Sequence, residues 1–140
     1  MQITRQSEYA IRALLELAKL PKGEFIQSRA VSVKQELPET FLSKTVQMLT
    51  RTGFVETRRG MQGGIRLAVK PELFTIADVV GAIEGEVAIN PCLADNSYCK
   101  NRSSCQVHVI LQRAQDALLS ELDRETFADL VREDNDNIFG

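Results

Sequence analysis

The sequence is short of the features that mark several large classes of protein. No apolar run approaches the roughly 18 residues that a bilayer-spanning helix needs, so a membrane protein is not expected. Eight glycines and four prolines show no low-complexity bias, which argues against a fibrous or disordered chain. Three cysteines, an odd number, do not make a disulfide framework. The opening Met1-Gln2-Ile3-Thr4-Arg5 passes straight into an amphipathic pattern without the apolar core of a secretory signal, and the expected compartment is the cytoplasm. There is no motif for a small-molecule substrate, and the only histidine lies beside a cysteine at metal-ligand spacing, so a non-enzymatic role is expected.

What is present is ordinary globular composition over 140 residues, 44% hydrophobic and 26% charged. The net charge of -2 hides an asymmetry: residues 1–70 hold 12 Lys/Arg against 6 Asp/Glu, while residues 71–140 hold 5 against 13. A basic first half can meet phosphates while the acidic second half meets solvent or a partner.

The hydrophobic pattern places a first helix over about Thr4 to Lys19, with Thr4 as cap and Ile3, Tyr9, Ala10, Ala13, Leu14, Leu17 and Ala18 as its apolar stripe. A short second helix follows over about Ser28 to Gln35, with Ala30, Val31 and Val33 toward a core. Leu37-Pro38 breaks it, and a third helix carries Phe41, Leu42, Thr45, Val46 and Leu49 before ending at Gly53. From Phe54 the period changes. Residues 54–59 predict a strand, 60–64 a tight turn and 65–68 a returning strand. Three helices followed by a hairpin with a basic, glycine-rich tip is the order of a winged helix-turn-helix; the plainer alternative is any small helix-plus-hairpin domain.

The charges favour DNA. A helix fits the major groove and a basic wing reaches phosphates or the minor groove. Glu39, Thr40, Ser43, Lys44 and Gln47 are the third-helix side chains expected to face the duplex, with Arg51 on the same polar side and Arg58 and Arg59 leading into the wing tip. Gln47 suits adenine, and Arg59 suits a narrow minor groove with its concentrated negative potential.

Beyond Pro71, a short helix is predicted over Ile76 to Ile83 with Thr75 as cap and Asp78 at its third position, and Gly85 closes it. Residues 86–104 predict a loop. A long helix then begins near Ser104, with Val107, Ile110, Leu111, Ala114, Leu118 and Leu122 as a stripe that needs a second surface, most economically its counterpart in a second subunit. A last helix is expected over about Arg124 to Arg132, with a loose tail from Glu133. The expected organisation is a DNA-binding domain over 1–80, then a ligand-bearing loop, dimerisation helix and C-terminal helix over 81–140.

All three cysteines lie in the pattern Cys92-x6-Cys99-x5-Cys105-x2-His108. Soft thiolates and an imidazole this dense point to metal rather than to a disulfide. Cys105 and His108, at i,i+3, can point to one centre. Tetrahedral zinc and an iron–sulfur cluster both satisfy the donor set, and ordinary thiols with a helix-packing histidine are the plainer alternative. Glu8, an acid at the start of the first helix, is an additional candidate as a cross-subunit ligand.

Taken in order, Ser7-Glu8-Tyr9-Ala10, Thr40-Phe41-Leu42, Leu49-x3-Gly53-Phe54-Val55, Arg59-Gly60-x2-Gly63-Gly64 and the three-cysteine loop resemble the bacterial iron–sulfur-cluster regulators, the IscR/NsrR-like family of winged-helix transcription factors. The resemblance spans nearly the whole chain. It implies a mostly α fold, a winged helix-turn-helix with a long C-terminal dimerisation helix. It also implies a homodimer on palindromic operator DNA, whose affinity is controlled by a [2Fe-2S] or [4Fe-4S] cluster. The ending Cys105-Gln106-Val107-His108 is similar to that of the cluster-biogenesis branch, which implies a [2Fe-2S] cluster on Cys92, Cys99, Cys105 and His108. The nitric-oxide-sensing branch carries [4Fe-4S] on three cysteines and an acid at the place of Glu8. The first cysteine gap is one residue longer than in the biogenesis branch, and Ser43 stands where that branch has a glutamate.

Overall fold

The computed structural model of the chain describes residues 3–94 and 104–135. The elements are α1 (Arg5–Ala18), α2 (Ser28–Lys34), α3 (Glu39–Arg51), β1 (Val55–Arg58), β2 (Gly64–Leu67), a 3-10 turn (Pro71–Leu73), α4 (Ile76–Glu84), α5 (Pro91–Ala94), α6 (Gln106–Leu122) and α7 (Phe127–Asn135). This is the mostly helical winged helix-turn-helix with a long C-terminal helix that the sequence predicts. Among the described residues, no helix is long and apolar enough to cross a membrane.

Thr4 begins α1 by accepting the Ser7 backbone N–H at 3.2 Å. Ala10, Ala13, Leu14 and Leu17, at i, i+3, i+4 and i+7, form its buried stripe against α3 and α4. Burying Leu14 completely stabilises the fold by about 1.5–3 kcal/mol. Glu16, itself buried, pairs with Lys19 at 3.2 Å and accepts a hydrogen bond from Gln35, which ties α1 to the end of α2. The turn between α2 and α3 depends on Glu36, whose φ of 53° reverses the chain. Ser32 closes that turn: its carbonyl accepts the Leu37 N–H at 2.9 Å and its hydroxyl donates to the Leu37 carbonyl at 2.5 Å.

The wing is an antiparallel pair in the register Val55↔Leu67, Glu56↔Arg66, Thr57↔Ile65 and Arg58↔Gly64. Ile26 adds a bridge to Ile65 on the other edge of β2, so the segment before α2 braces the wing. A Cβ at Gly63 would fall 2.1 Å from the Arg58 carbonyl oxygen, and one at Gly64 would fall 2.3 Å from that of Ile26. Both positions therefore require glycine.

The chain crosses the expected division near residue 80 and returns. Phe127 is fully buried and stacks on Phe74 at 4.5 Å, and Phe74 meets Phe54 at 5.2 Å, so α7 shares one core with the wing and α1. Thr75 forms the expected capping box with Asp78 and also donates its hydroxyl to Asp123, at the end of α6, at 2.6 Å. A second pair, Thr126 and Asp129, caps α7; the Thr126 backbone N–H holds the Asp129 carboxyl below its ordinary value, assisted by the Thr126 hydroxyl and Arg132.

Several details of the expected elements need correction. The last helix starts at Phe127 rather than Arg124, because Thr126 supplies the cap, and it continues through residues 133–135 where a loose tail was expected. Within the expected loop 86–104, Pro91 opens one helical turn, α5, its ring fixing φ where a helix begins. Val33 is 70% exposed rather than turned to the core. Phe41 is 53% exposed, one position outside the buried row of Leu42, Thr45 and Leu49, and leans on Tyr9 of α1 with ring centroids 6.0 Å apart.

Candidate nucleic-acid interface and thiolate site

The buried row of α3 turns the opposite side of the helix to solvent, and all six side chains expected there, Glu39, Thr40, Ser43, Lys44, Gln47 and Arg51, are exposed. They form one polar face at helical spacing, and a major groove admits an α-helix. The Ser43 hydroxyl donates to the Glu39 carbonyl at 3.2 Å, which leaves its oxygen able to accept from a base or another donor. Thr45 is buried, and its hydroxyl is spent on the Phe41 carbonyl at 2.9 Å.

Arg58 and Arg59 stand at the end of β1, both exposed. Arg59 makes no ion pair among the described residues. Arg58 lies over the Phe25 ring, 4.6 Å from its centroid. Gln27 donates to the Gly63 carbonyl at 3.0 Å and fastens the tip to the start of α2. At that tip Met61 is 99% exposed, a residue that charge-based reasoning passes over. Phe41 is the other omission, since an aromatic at helical spacing signals core before it signals an interface.

The thiolate site lies on the second half of the chain. Cys92 is buried in α5, and its sulfur receives the Asn90 side-chain amide at 3.2 Å and lies 3.4 Å from His108 Nδ1. Cys105 is the N-cap of α6, its sulfur accepting the His108 backbone N–H at 3.4 Å. α5 therefore sets Cys92 against the His108 ring near the start of α6, while the Cys105 sulfur engages the His108 backbone. Gln115, buried on α6, accepts the Ile89 N–H at 3.0 Å and pins the approach to α5 two turns further along. Cys99 lies outside the described residues. Among the described residues, no three His, Cys, Asp or Glu side chains form a metal-holding group. Glu8 sits on the solvent side of α1 in an ion pair with Arg12 at 3.0 Å.

Two soft sulfurs and an imidazole nitrogen are donor types that zinc and iron–sulfur clusters take. By donor type alone, the two cysteines and the histidine fit such a group. The N-terminal half of α6 leaves Val107, Val109 and Ile110 between 52% and 66% exposed, so this helix does not bury its apolar side within one chain.

Comparison with known proteins gives the family and the fold. Residues 3–133 match the Rrf2 family, described as iron-dependent transcriptional regulators. Among solved structures, the chain is similar to IscR of T. potens, at 21% identity over 95% of this chain and 88% of that one, with a TM-score of 0.73. It is similar to CymR, the global cysteine regulator of B. subtilis, at 22% identity over 94% and 97%, with a TM-score of 0.73. A transcriptional regulator from Listeria innocua shares 27% identity over 94% of this chain and 87% of that one, with a TM-score of 0.76. The chain belongs to the Rrf2 family of iron-dependent transcriptional regulators and is a DNA-binding transcription regulator rather than an enzyme.

Proposed function

We propose that this regulator works as a homodimeric repressor or dual regulator on palindromic operator DNA, with an iron–sulfur cluster on Cys92, Cys99, Cys105 and His108 setting its affinity. A [2Fe-2S] cluster is favoured over [4Fe-4S] because His108 supplies a fourth donor from the chain itself. The observation that supports the reading is the 3.4 Å approach of Cys92 Sγ to His108 Nδ1, beside the Cys105 cap of the helix that leaves apolar residues exposed.

In this reading α3 enters the major groove. Gln47, Ser43 and Thr40 read or brace bases, Glu39 accepts from a cytosine amine, and Lys44 and Arg51 hold phosphates. Arg58 and Arg59 carry the wing to the backbone and minor groove. Two α6 helices pair, spacing two α3 helices on half-sites about 34–36 Å apart. When bound, the cluster supplies a charge that responds to redox state and nitric oxide. The protein's own part is mechanical: Cys105 fixes the first turn of α6, while Asn90, Gln115 and α5 fix Cys92 against it. A change in how those sulfurs are held reaches the dimer helix and, through it, the half-site spacing.

Two alternatives on the same scaffold have their own support. A zinc- or thiol-dependent regulator is supported by the pairing of cysteine with histidine, a donor set that zinc also takes. A nitric-oxide sensor with [4Fe-4S] would use Glu8, whose pair with Arg12 would have to open. Native mass spectrometry of protein kept free of oxygen separates the three. Two iron and two sulfide per subunit are expected. Four of each favours the Glu8 arrangement, and zinc without sulfide sinks the cluster reading.

A further inference from the structure

Alternation along β1 puts Glu56 and Arg58 on one face of the hairpin, with Arg66 opposite Glu56 on β2, while Val55 and Ile65 fill the core face. Arg58 is opposite Gly64, which has no side chain to give it. Its neighbour is instead Phe25, brought to the wing by the Ile26↔Ile65 bridge. Two guanidiniums share that ring: Arg58 at 4.6 Å and Arg66 at 4.3 Å from the centroid. Their situations differ. Arg66 is satisfied within the chain, paired with Glu56 and donating to the Gly23 carbonyl at 2.9 Å. Arg58 has no carboxylate partner among the described residues; the ring holds its guanidinium while its charge stays available to an outside anion.

We propose that Phe25 is a positioning residue for DNA binding, its ring holding the Arg58 guanidinium in place for a backbone phosphate beside the wing. The inference rests on the reading that the wing meets the duplex. An arginine side chain loses considerable rotamer freedom when it grips a phosphate. A ring within about 6 Å of the guanidinium restrains it beforehand, so less remains to be lost on binding. Contact to phosphate carries no base information, so the effect is the same on every sequence.

The test is a double-mutant cycle on the full-length protein, purified without oxygen. Its probes are an operator duplex selected by the wild-type protein from random sequence and a mixed-sequence duplex, each titrated over a range of salt. R58Q is expected to reduce the salt slope by about 0.9 per subunit, the signature of one lost phosphate. F25L is expected to weaken both duplexes about two- to fivefold per subunit, to add nothing in the R58Q background, and to be rescued by F25W. Equal weakening by F25L with and without R58Q, or no weakening at all, overturns the proposal. An unchanged salt slope in R58Q overturns it as well, and R59Q then decides the larger reading: if R59Q lowers the slope the wing still meets DNA, and if neither does the wing reading falls too. Thermal unfolding accompanies every variant, and F25M replaces F25L in the cycle if F25L does not fold.

Discussion

Gln47 and Arg59 are exposed side chains without hydrogen-bond or ion-pair partners among the described residues, and their different chemistry predicts different losses. Replacing Gln47 with alanine should relax discrimination at one base-pair position by about 1–3 kcal/mol. Replacing Arg59 should weaken binding most on sites whose flanking minor groove is narrow. Competition binding against operator variants at fixed salt measures both, and a uniform loss in the glutamine variant would move that residue to the backbone. Glu36 offers a stability prediction. Its φ of 53° costs a residue with a side chain roughly 1–2 kcal/mol relative to the right-handed regions, so Glu36→Gly should raise stability by a fraction of that amount, read as a higher urea midpoint at unchanged slope. The polar face of α3 was legible because its buried row, Leu42, Thr45 and Leu49, keeps strict helical spacing. Phe41 was not, because a large apolar residue next to that row has the same pattern whether it packs inward or leans over the helix edge.

Caps decided which helices could be placed from sequence. Thr75-x2-Asp78 precedes a clean apolar run and announced α4, whereas Thr126-x2-Asp129 makes the same arrangement behind a charged stretch that drew the expected start back to Arg124. The return of α7 to the core shared by α1 and the wing was not legible, since Phe127 in one amphipathic turn says nothing about which core receives it. Its burial against Phe74 now gives a prediction: Phe127→Ala should cost about 3–5 kcal/mol, read as a shift in the thermal midpoint of the whole chain rather than loss of one helix. A local change in helicity with an unchanged main transition would show that α7 folds apart from the core. Asp129 adds a pH dependence. Its carboxyl is held low in the folded chain, so its stabilising effect is present above the unfolded value and fades as pH falls through the folded one. Asp129→Asn should therefore lower stability near neutrality and flatten the acid limb of the stability–pH curve; an acid limb parallel to that of the parent would remove this linkage.

The division of charge between a basic first half and an acidic second half is a property of the whole chain, and it follows the fold: α3 and the wing fall in one half, α6 and the thiolates in the other. Sequence spacing placed Cys105 and His108 one turn apart at the start of α6, but the approach of Cys92 to His108 depends on α5 and on Gln115, two features with no periodic signal. The exposed stripe of α6 is where these halves must cooperate. Val107 and Ile110, one turn apart, lie just beyond the Cys105 cap, so any surface covering them also senses how that cap is held. Burying a carboxylate against a second copy of the same helix carries a penalty far above that of leaving it in water. Ile110→Asp should accordingly give a monomer by sedimentation velocity with unchanged far-ultraviolet dichroism. Operator binding should then fall about 10²–10⁴-fold, the loss expected when two linked half-site contacts become independent, while affinity for an isolated half-site stays near that of one parent subunit. If Ile110→Asp remained dimeric with full operator affinity, the α6 stripe would not be the subunit contact, and the route from Cys105 to half-site spacing would have to run through α4 and the Thr75–Asp123 hydrogen bond instead.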